Sequence, residues 1–463
     1  MAKAKVGKVG KNEFQVINPY AAGIDVGSRF HVVAVSPEHD PDPVRKFSSF
    51  TTDLHRLADW LKTVGVTTIA MESTGVYWIP VFEILESSGF DVILVNAREA
   101  KRVPGRKTDI KDAQWIQQLH QYGLLSASFQ PIEKIASLRS YLRHRERLTE
   151  YAAAHIQHMQ KALMQMNLQL HHVVSDITGD TGMRIIRAII EGERSATKLA
   201  SYRHHCCKES ETTIAAALTG NYRAEHVFSL KQAVALYDFY QGQIKECDHE
   251  IEKALDELNV GREAPSEPLP EARRKRKQKK EPGIPIREKL FTLTGVDSTQ
   301  INGIGPHLAL RLVGECGTDM AKWPTSKHFT SWLTLSPSNK ISGGKVLSRR
   351  TRRTKNRATK LLRIAAVNIG KTQTALGAFY RRLAARVGKA KAVTATARKL
   401  AVLFYTLMRH GKEYVEPGAE YYEQHYKKRL LSALSKKAAS LGYSLVLKEE
   451  NKKAVPATCG VVS

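Results

Sequence analysis

The chain has 463 residues, and 72 Lys and Arg against 45 Asp and Glu leave a formal net charge of +27 and a pI near 9.8. Such an excess of cations argues against an ordinary metabolic enzyme and for a polyanionic partner, of which nucleic acid is the commonest. With 42% hydrophobic and 25% charged residues the composition is globular, neither disordered nor collagenous. At roughly 100–200 residues per domain the length predicts several domains. No apolar run approaches the roughly 18 residues needed to cross a bilayer, and the opening Met-Ala-Lys-Ala-Lys stretch lacks the apolar core of a secretory signal. Neither a membrane protein nor an exported one is expected. Five scattered cysteines, Cys206, Cys207, Cys247, Cys316 and Cys459, form an odd set without a disulfide framework and fit a reducing cytoplasm.

From residue 20 to about 122, strand and helix signals alternate. Residues 22–26 and 31–35 are short β-branched runs separated by a Gly-Ser turn, which reads as a hairpin, and 44–50 supplies a third strand. Leu54, Leu57, Ala58, Leu61 and Val64 then fall at helical spacing, with Thr51, Thr52 or Asp53 to cap the start. Residues 67–71 read as a buried strand, 76–85 as a helix and 92–95 as a further strand, before a long polar helical stretch. The order β-β-β-α-β-α-β-α is that of an RNase H-like fold.

Residues 135–170 change period. Ile135, Leu138, Leu142, Ala152, Ile156, Met159, Leu163, Met166 and Leu170 step by threes and fours, with Arg145 and Thr149 off-pattern, which is an a/d heptad roughly 50 Å long. A less perfect seam runs through Leu230, Val234, Tyr237, Ile244, Ile251, Leu255 and Leu258. An antiparallel hairpin or an intersubunit coiled coil follows; two ordinary bundle helices are the alternative. The insert between them, 171–228, carries no motif that assigns it a role. Its run His204-His205-Cys206-Cys207 has metal-ligating residue types, but a tetrahedral ion wants gaps between its ligands, so zinc is not expected there.

Residues 265–285 are a linker by composition, with Arg273, Arg274, Lys275, Arg276 and Lys277 at its centre. It is either a solvated hinge or a phosphate-binding tether, and the charge of the whole protein favours the tether. Beyond it the chain is helical again. Arg349, Arg350, Arg352, Arg353, Lys355, Arg357, Lys360 and Arg363 crowd one 15-residue stretch that runs into an apolar helix, and the end of the chain is amphipathic.

In a protein this basic, carboxylates at strand ends need a reason. Asp25 stands in Gly-Ile-Asp-Val-Gly-Ser at the end of the first strand, and Glu72 closes Thr-Ile-Ala-Met-Glu. Asp109 and Asp112 stand in Lys-Thr-Asp-Ile-Lys-Asp-Ala, where a separation of three puts both on one helical face. Each acid alone could be a cap or a surface charge, Asp109 for instance pairing with Lys107 or Arg106. Together they could converge, and converging carboxylates need cations to stay ionised. Magnesium suits hard oxygen ligands, and two such ions stabilise the attacking and leaving oxygens of a phosphodiester displacement.

These motifs, with Met-Glu-Ser-Thr-Gly-Val-Tyr-Trp and Val-Asn-Ala-Arg, resemble the RuvC-like DEDD domain of IS110-class transposases, particularly the longer IS1111-like branch, over about 110 residues. The resemblance implies that Asp25, Glu72, Asp109 and Asp112 are the catalytic acids and metal ligands. Farther on, Ile301-Asn302-Gly303-Ile304-Gly305-Pro306 resembles a helix-hairpin-helix turn, whose backbone N–H groups hold a phosphate without reading bases; any αα-corner could share the pattern. Leu333-Thr334-Leu335-Ser336-Pro337 and Ile341-Ser342-Gly343-Gly344-Lys345 resemble the C-terminal transposase domain of the same family. There the resemblance implies a serine nucleophile linked covalently to DNA, which by motif is Ser342. Without the family Ser342 would read as a turn residue. Gly344-Lys345 departs from the commoner pattern of small hydroxyl residues, and Ser336, Ser338 and Ser348 lie close by.

The expected organisation is a basic N-terminal tail at 1–19, a RuvC-like DEDD domain at 20–130 and a helical coiled-coil region with insert at 131–262. A basic linker at 263–288, a transposase domain with the serine nucleophile at 289–417 and an amphipathic tail at 418–463 complete it. Nucleic-acid contacts are expected at Arg273 to Lys277, Gly303, Gly305, Lys345, Arg349, Arg350, Arg352 and Arg353. The resemblance implies a DNA-cutting and rejoining recombinase of a mobile element, using about two Mg²⁺ ions, guided by a noncoding RNA, and working as a dimer or tetramer on the nucleoid in the cytoplasm. One rival is a RuvC-type junction resolvase that uses metal-activated water alone. A remote one is an actin-like or sugar-kinase phosphotransferase, because Gly-Ile-Asp-Val-Gly-Ser also resembles that fold's first phosphate loop.

Overall fold

The computed structural model describes residues 15–96, 108–263, 265, 267–272, 281–411 and 417–446. The linker cations Arg273 to Lys277 lie outside the described residues. The chain divides into two compact units, Met1–Gln130 and Pro131–Ser463.

The first unit is built on one sheet. Strands β1 (Ala21–Val26), β2 (Phe30–Ala34) and β3 (Val44–Ser48) form an antiparallel meander, and β4 (Thr68–Glu72) and β5 (Asp91–Val95) continue it in parallel beside β1, giving the order β3-β2-β1-β4-β5. This is the RNase H-like arrangement. Helices α1 (Thr51–Thr63) and α2 (Trp78–Ser87) cover one face, where Ile24, Val33, Leu54, Leu57, Leu61, Met71, Val81 and Leu85 form a dry core. The β-branched and small residues of β1 and β4 are buried on both faces, as parallel strands between helices require. Helix α3 (Asp109–Gln121) covers the other face through Ala113 and Ile116, which pack on Val32, Ala34 and Ala70. Thr51 and Thr52 do not cap α1. They lie inside its first turn, the N-cap is Phe50 without a side-chain cap bond, and Asp53 instead pairs with Arg56 one turn on.

In the second unit α4 (Glu133–Gln165) is a single helix of 33 residues, roughly 50 Å long. It runs antiparallel to α9 (Ala224–Asn259): Lys134 Nζ donates to the Glu257 carbonyl, Cys247 Sγ to the Tyr141 carbonyl, and Tyr151 and His155 lie against Tyr240. The two sequence seams therefore meet within one chain. Arg145 departs from the expected pattern by lying in the seam, buried, with its guanidinium on the Asp248 carboxylate of α9. Leu148 fills the next core position while the Thr149 hydroxyl turns back to the Arg145 carbonyl at 2.9 Å. The helix also ends earlier than the heptad suggests, since Asn167 takes a positive φ of 54° and Leu170 opens a new short helix, α5 (Leu170–Val173).

The insert folds as a cap on the hairpin's closed end. Helices α6 (Asp180–Ile190), α7 (Ala196–Ser201) and α8 (Glu211–Ala217) bury Ile185, Ile186, Ile189, Leu199 and Ile214 against Met159, Leu163, Leu230 and Val234. The remaining helices are α10 (Ile286–Thr294), α11 (Pro306–Cys316), α12 (Ser326–Trp332), α13 (Arg357–Ile369), α14 (Ala375–Val387), α15 (Lys389–His410) and α16 (Gly418–Ser440). A two-stranded hairpin of β6 (Lys340–Ser342) and β7 (Lys345–Ser348) interrupts them. Among the described residues no helix is long and apolar enough to cross a membrane.

Candidate active site

The strand register decides where the first two acids stand. Ile24 of β1 is opposite Met71 of β4, and both side chains enter the α1/α2 core, so the next residues, Asp25 and Glu72, turn together to the α3 face. Both lie at the carboxyl ends of adjacent parallel strands, where open α/β sheets place their ligands. Asp25 is half-buried and Glu72 is buried, with Thr74 donating its hydroxyl to Glu72 Oε1 at 3.3 Å. Beyond Asp25 the chain turns tightly: the Gly27 N–H donates to the Phe30 carbonyl at 3.2 Å, and a Cβ on Gly27 would stand 2.5 Å from that oxygen.

Helix α3 brings the other pair to the same end. Its C-terminal part is anchored near the strand starts, Gln117 Nε2 donating to the Ala21 carbonyl at 3.4 Å and His120 Nε2 meeting the Thr68 hydroxyl at 2.9 Å. Its N-terminus therefore lies toward the strand ends that carry Asp25 and Glu72. Thr108 caps the helix by accepting from the Lys111 N–H, and Asp109 and Asp112 occupy the first turn, Asp109 exposed and Asp112 half-buried. Acids there gain from the orphan N–H groups of the helix start. The contact that sets this crossing is Gly23, whose Cβ would stand 2.2 Å from the Gln117 nitrogen and 2.5 Å from the Ala113 oxygen. Four carboxylates from three elements thus share one end of one sheet face. Their donor set is hard oxygen, which fits Mg²⁺.

Ser342 belongs to the second unit. It ends β6, opposite Lys345, across a turn in which Gly343 and Gly344 both have positive φ, 52° and 74°. Two consecutive glycines suit that turn because each adopts a left-handed conformation without strain. The Ser342 side chain is exposed and makes no hydrogen bond among the described residues. Of its neighbours, Ser336 shares a 3.0 Å hydrogen bond with Thr330, and Ser348 accepts from the Arg350 N–H at 3.3 Å. Lys345, Arg349, Arg350, Arg352 and Arg353 are exposed and form no ion pair among the described residues. Gly303 takes a positive φ of 88°, and its Cβ would stand 2.4 Å from Ile369 Cδ1, so this glycine also serves the packing of α13. Gly305 is the N-cap of α11, with Pro306 at the first helical position.

One cationic cleft joins part of the arginine-rich stretch to α4 and α11, a convergence that the sequence reading missed. Arg143, Arg147 and Glu146 of α4, Arg311 of α11, Lys355 just before α13, and Arg357 and Lys360 in its first turn line a hollow of about 330 Å³. Glu146 is held between Arg311 at 2.6 Å and Arg357 at 2.7 Å, and these cations keep its carboxyl below the usual range in spite of burial. The spacing Arg143, Glu146, Arg147 and Glu150 at three and four residues was the available signal for one helical face.

Comparison with known proteins finds two family matches. Residues 22–168 match the IS110 DEDD family model, described as a transposase, and residues 299–381 match the model of the IS116/IS110/IS902 transposase family. The first match covers every acid of the site and runs on into α4; the second spans the α11 turn, the β6/β7 hairpin and the arginine stretch. No curated protein matches the chain.

Proposed function

Because the chain belongs to the IS110-class DEDD transposases, enzymes that act on DNA, we propose that it cuts and rejoins DNA with Asp25, Glu72, Asp109 and Asp112 as ligands of two Mg²⁺ ions and Ser342 as nucleophile. The observation that carries this reading is the register that sets Asp25 and Glu72 side by side under the acid-bearing first turn of α3. DEDD transposases typically depend on a metal, and bound Mg²⁺ would act as a Lewis acid on the phosphodiester.

The serine oxygen would bond to phosphorus while the deoxyribose oxygen leaves as a hydroxyl, so that Ser342 gives up its proton and the phosphodiester count is conserved. A serine hydroxyl needs activation for this. Arg349, Arg350, Arg352 and Arg353 would neutralise the phosphate under attack, with Lys345 opposite the serine as a fifth cation. Arg273 to Lys277 would tether nucleic acid, and the Gly303 to Gly305 turn would hold backbone phosphate. We further assign a noncoding guide RNA as a second polyanionic partner, a dimeric or tetrameric assembly, and a place on the nucleoid. The domain division proposed is a basic N-terminal tail at 1–19, a DEDD domain at 20–130, a helical region at 131–262, a linker at 263–288, a serine-bearing domain at 289–417 and a tail at 418–463.

The test uses Asp25→Asn, Glu72→Gln and Ser342→Ala in a recombination assay with Mg²⁺, read alongside DNA binding. All three are expected to lose recombination and to bind DNA as before, and only the wild type should leave a covalent DNA adduct. Recombination at the wild-type rate in either acid variant overturns the metal assignment. Intact cleavage by Ser342→Ala would instead support the water-activated resolvase chemistry.

A further inference from the structure

We propose that the turn His204–Cys207 in the cap binds one Zn²⁺-type ion through His204, His205 and Cys206, a metal site of different chemistry from the carboxylate cluster and independent of it. Adjacency in sequence speaks against such a site, and the folded turn overcomes it. The Cys207 N–H donates to the His204 carbonyl at 2.8 Å, closing a β-turn with His205 and Cys206 at its two central positions. As a result, one nitrogen from each imidazole and the Cys206 sulfur lie within 4.8 Å of one another. Ligands around tetrahedral zinc, at about 2.0–2.1 Å for nitrogen and 2.3 Å for sulfur, stand roughly 3.3–3.8 Å apart. Side-chain rotation closes that gap, since His205 and Cys206 are exposed and His204 is no more than half-buried.

The backbone of the turn is fixed from three sides. Arg203 donates to the Glu209 carbonyl and to the Cys207 carbonyl, both at 2.7 Å, and so spans the loop. The His204 N–H donates to the Thr181 hydroxyl at 3.0 Å, tying the turn to α6. Cys207 points the other way: its thiol meets the Val173 carbonyl at 3.6 Å and packs on the cap core, which is why three of the four side chains converge and the fourth does not. A preformed turn lowers the ordering cost of binding. The Cys206 N–H donates to His204 Nδ1 at 3.2 Å, which occupies that lone pair, so an ion taken by Nδ1 must displace this hydrogen bond.

The donors also choose the ion. Two imidazoles and a thiolate with no carboxylate suit Zn²⁺ and its relatives and disfavour Mg²⁺. Three protein ligands leave the fourth tetrahedral position to water.

The test titrates the untagged full chain with Co²⁺, the spectroscopic stand-in for Zn²⁺, and follows the thiolate-to-cobalt charge-transfer band in the near ultraviolet. One Co²⁺ per chain is expected to give the band, and Zn²⁺ to abolish it by displacement while Mg²⁺ leaves it unchanged. Cys206→Ser should remove it, and His204→Ala should weaken binding by about tenfold or more. Glu72→Gln should retain it, which separates this site from the acid cluster. Absence of the band at stoichiometric Co²⁺, or its survival in a Cys206→Ser chain of unchanged circular dichroism, overturns the proposal.

Discussion

Replacing Gly23 by alanine would separate the geometry of the acid cluster from its charge. Gly23 lies in the middle of β1, paired with Ala70 and Ala34, and α3 crosses directly over it. The added Cβ would stand 2.2 Å from the Gln117 nitrogen and 2.5 Å from the Ala113 oxygen, where ordinary contact begins at 3.4 Å. Both are backbone atoms, so no side chain can rotate aside; the helix must lift by about 1 Å. Overpacking of this kind costs roughly 1–3 kcal/mol of stability.

The functional cost follows from which element moves. Asp25 and Glu72 are fixed in the sheet, whereas Asp109 and Asp112 ride on α3. Mg²⁺ demands near-ideal octahedral geometry at about 2.0–2.1 Å, and a misplacement of about 1 Å costs on the order of a hundredfold in rate. Gly23→Ala is therefore expected to recombine DNA about a hundredfold more slowly, to need more Mg²⁺ for half-maximal rate, and to melt lower, with DNA binding unchanged. Gly242→Ala is the control, since nothing stands within 4 Å of a Cβ there. A Gly23→Ala enzyme with the wild-type rate and Mg²⁺ dependence would refute the placement of α3 over the site.

Changing Arg349, Arg350, Arg352 and Arg353 together to glutamine removes four exposed cations. At about 0.9 counterions per phosphate contact in duplex DNA, the slope of log affinity against log salt should fall by roughly 3 to 4, and an unchanged slope would mean that this stretch never meets phosphate. The pH dependence of stability is expected to run through His307, which burial and then Arg145 and Arg311 push down to about 4. The unfolded chain takes up that proton below its ordinary value of 6.5 while the folded chain resists until about 4, so stability present at neutral pH is lost as pH falls through this window. His31 and His120, also lowered by burial, add in the same direction. Urea unfolding at pH 7 and pH 4.5 should show a smaller acid loss for His307→Asn than for wild type, and equal losses would refute the assignment.

The first unit was largely legible because its signals are local. A β-branched run marks a strand wherever it stands, and the carboxylates Asp25 and Glu72 announce themselves by ending such runs. Helix boundaries were less legible where a cap had several candidates: Thr51, Thr52 and Asp53 all could have capped α1, and the chain starts the helix one residue earlier on Phe50. The heptad misread has a different cause. Arg145 counts as an interruption by hydropathy, but a guanidinium fits a seam when the facing helix supplies a carboxylate, and Asp248 lies 103 residues away. No local pattern carries such a pairing.

The alignment of the acids is local in origin, whereas the cationic cleft and the cap turn are not marked by any local period. The four acids stand at positions whose element and face follow from period alone, so parallel register and one helix crossing are enough to align them. The cleft draws on α4, α11 and α13, and its glutamate is defined by two arginines that lie 165 and 211 residues farther along the chain. The turn at His204 is the opposite case, a site too local for a spacing rule: metal motifs presuppose gaps because helices and extended strands separate neighbours, whereas a hydrogen-bonded turn folds consecutive side chains toward one another. Adjacency excludes convergence only for regular structure. Where the backbone reverses within four residues and an arginine clamps both sides, the exclusion no longer holds, and the donor types decide.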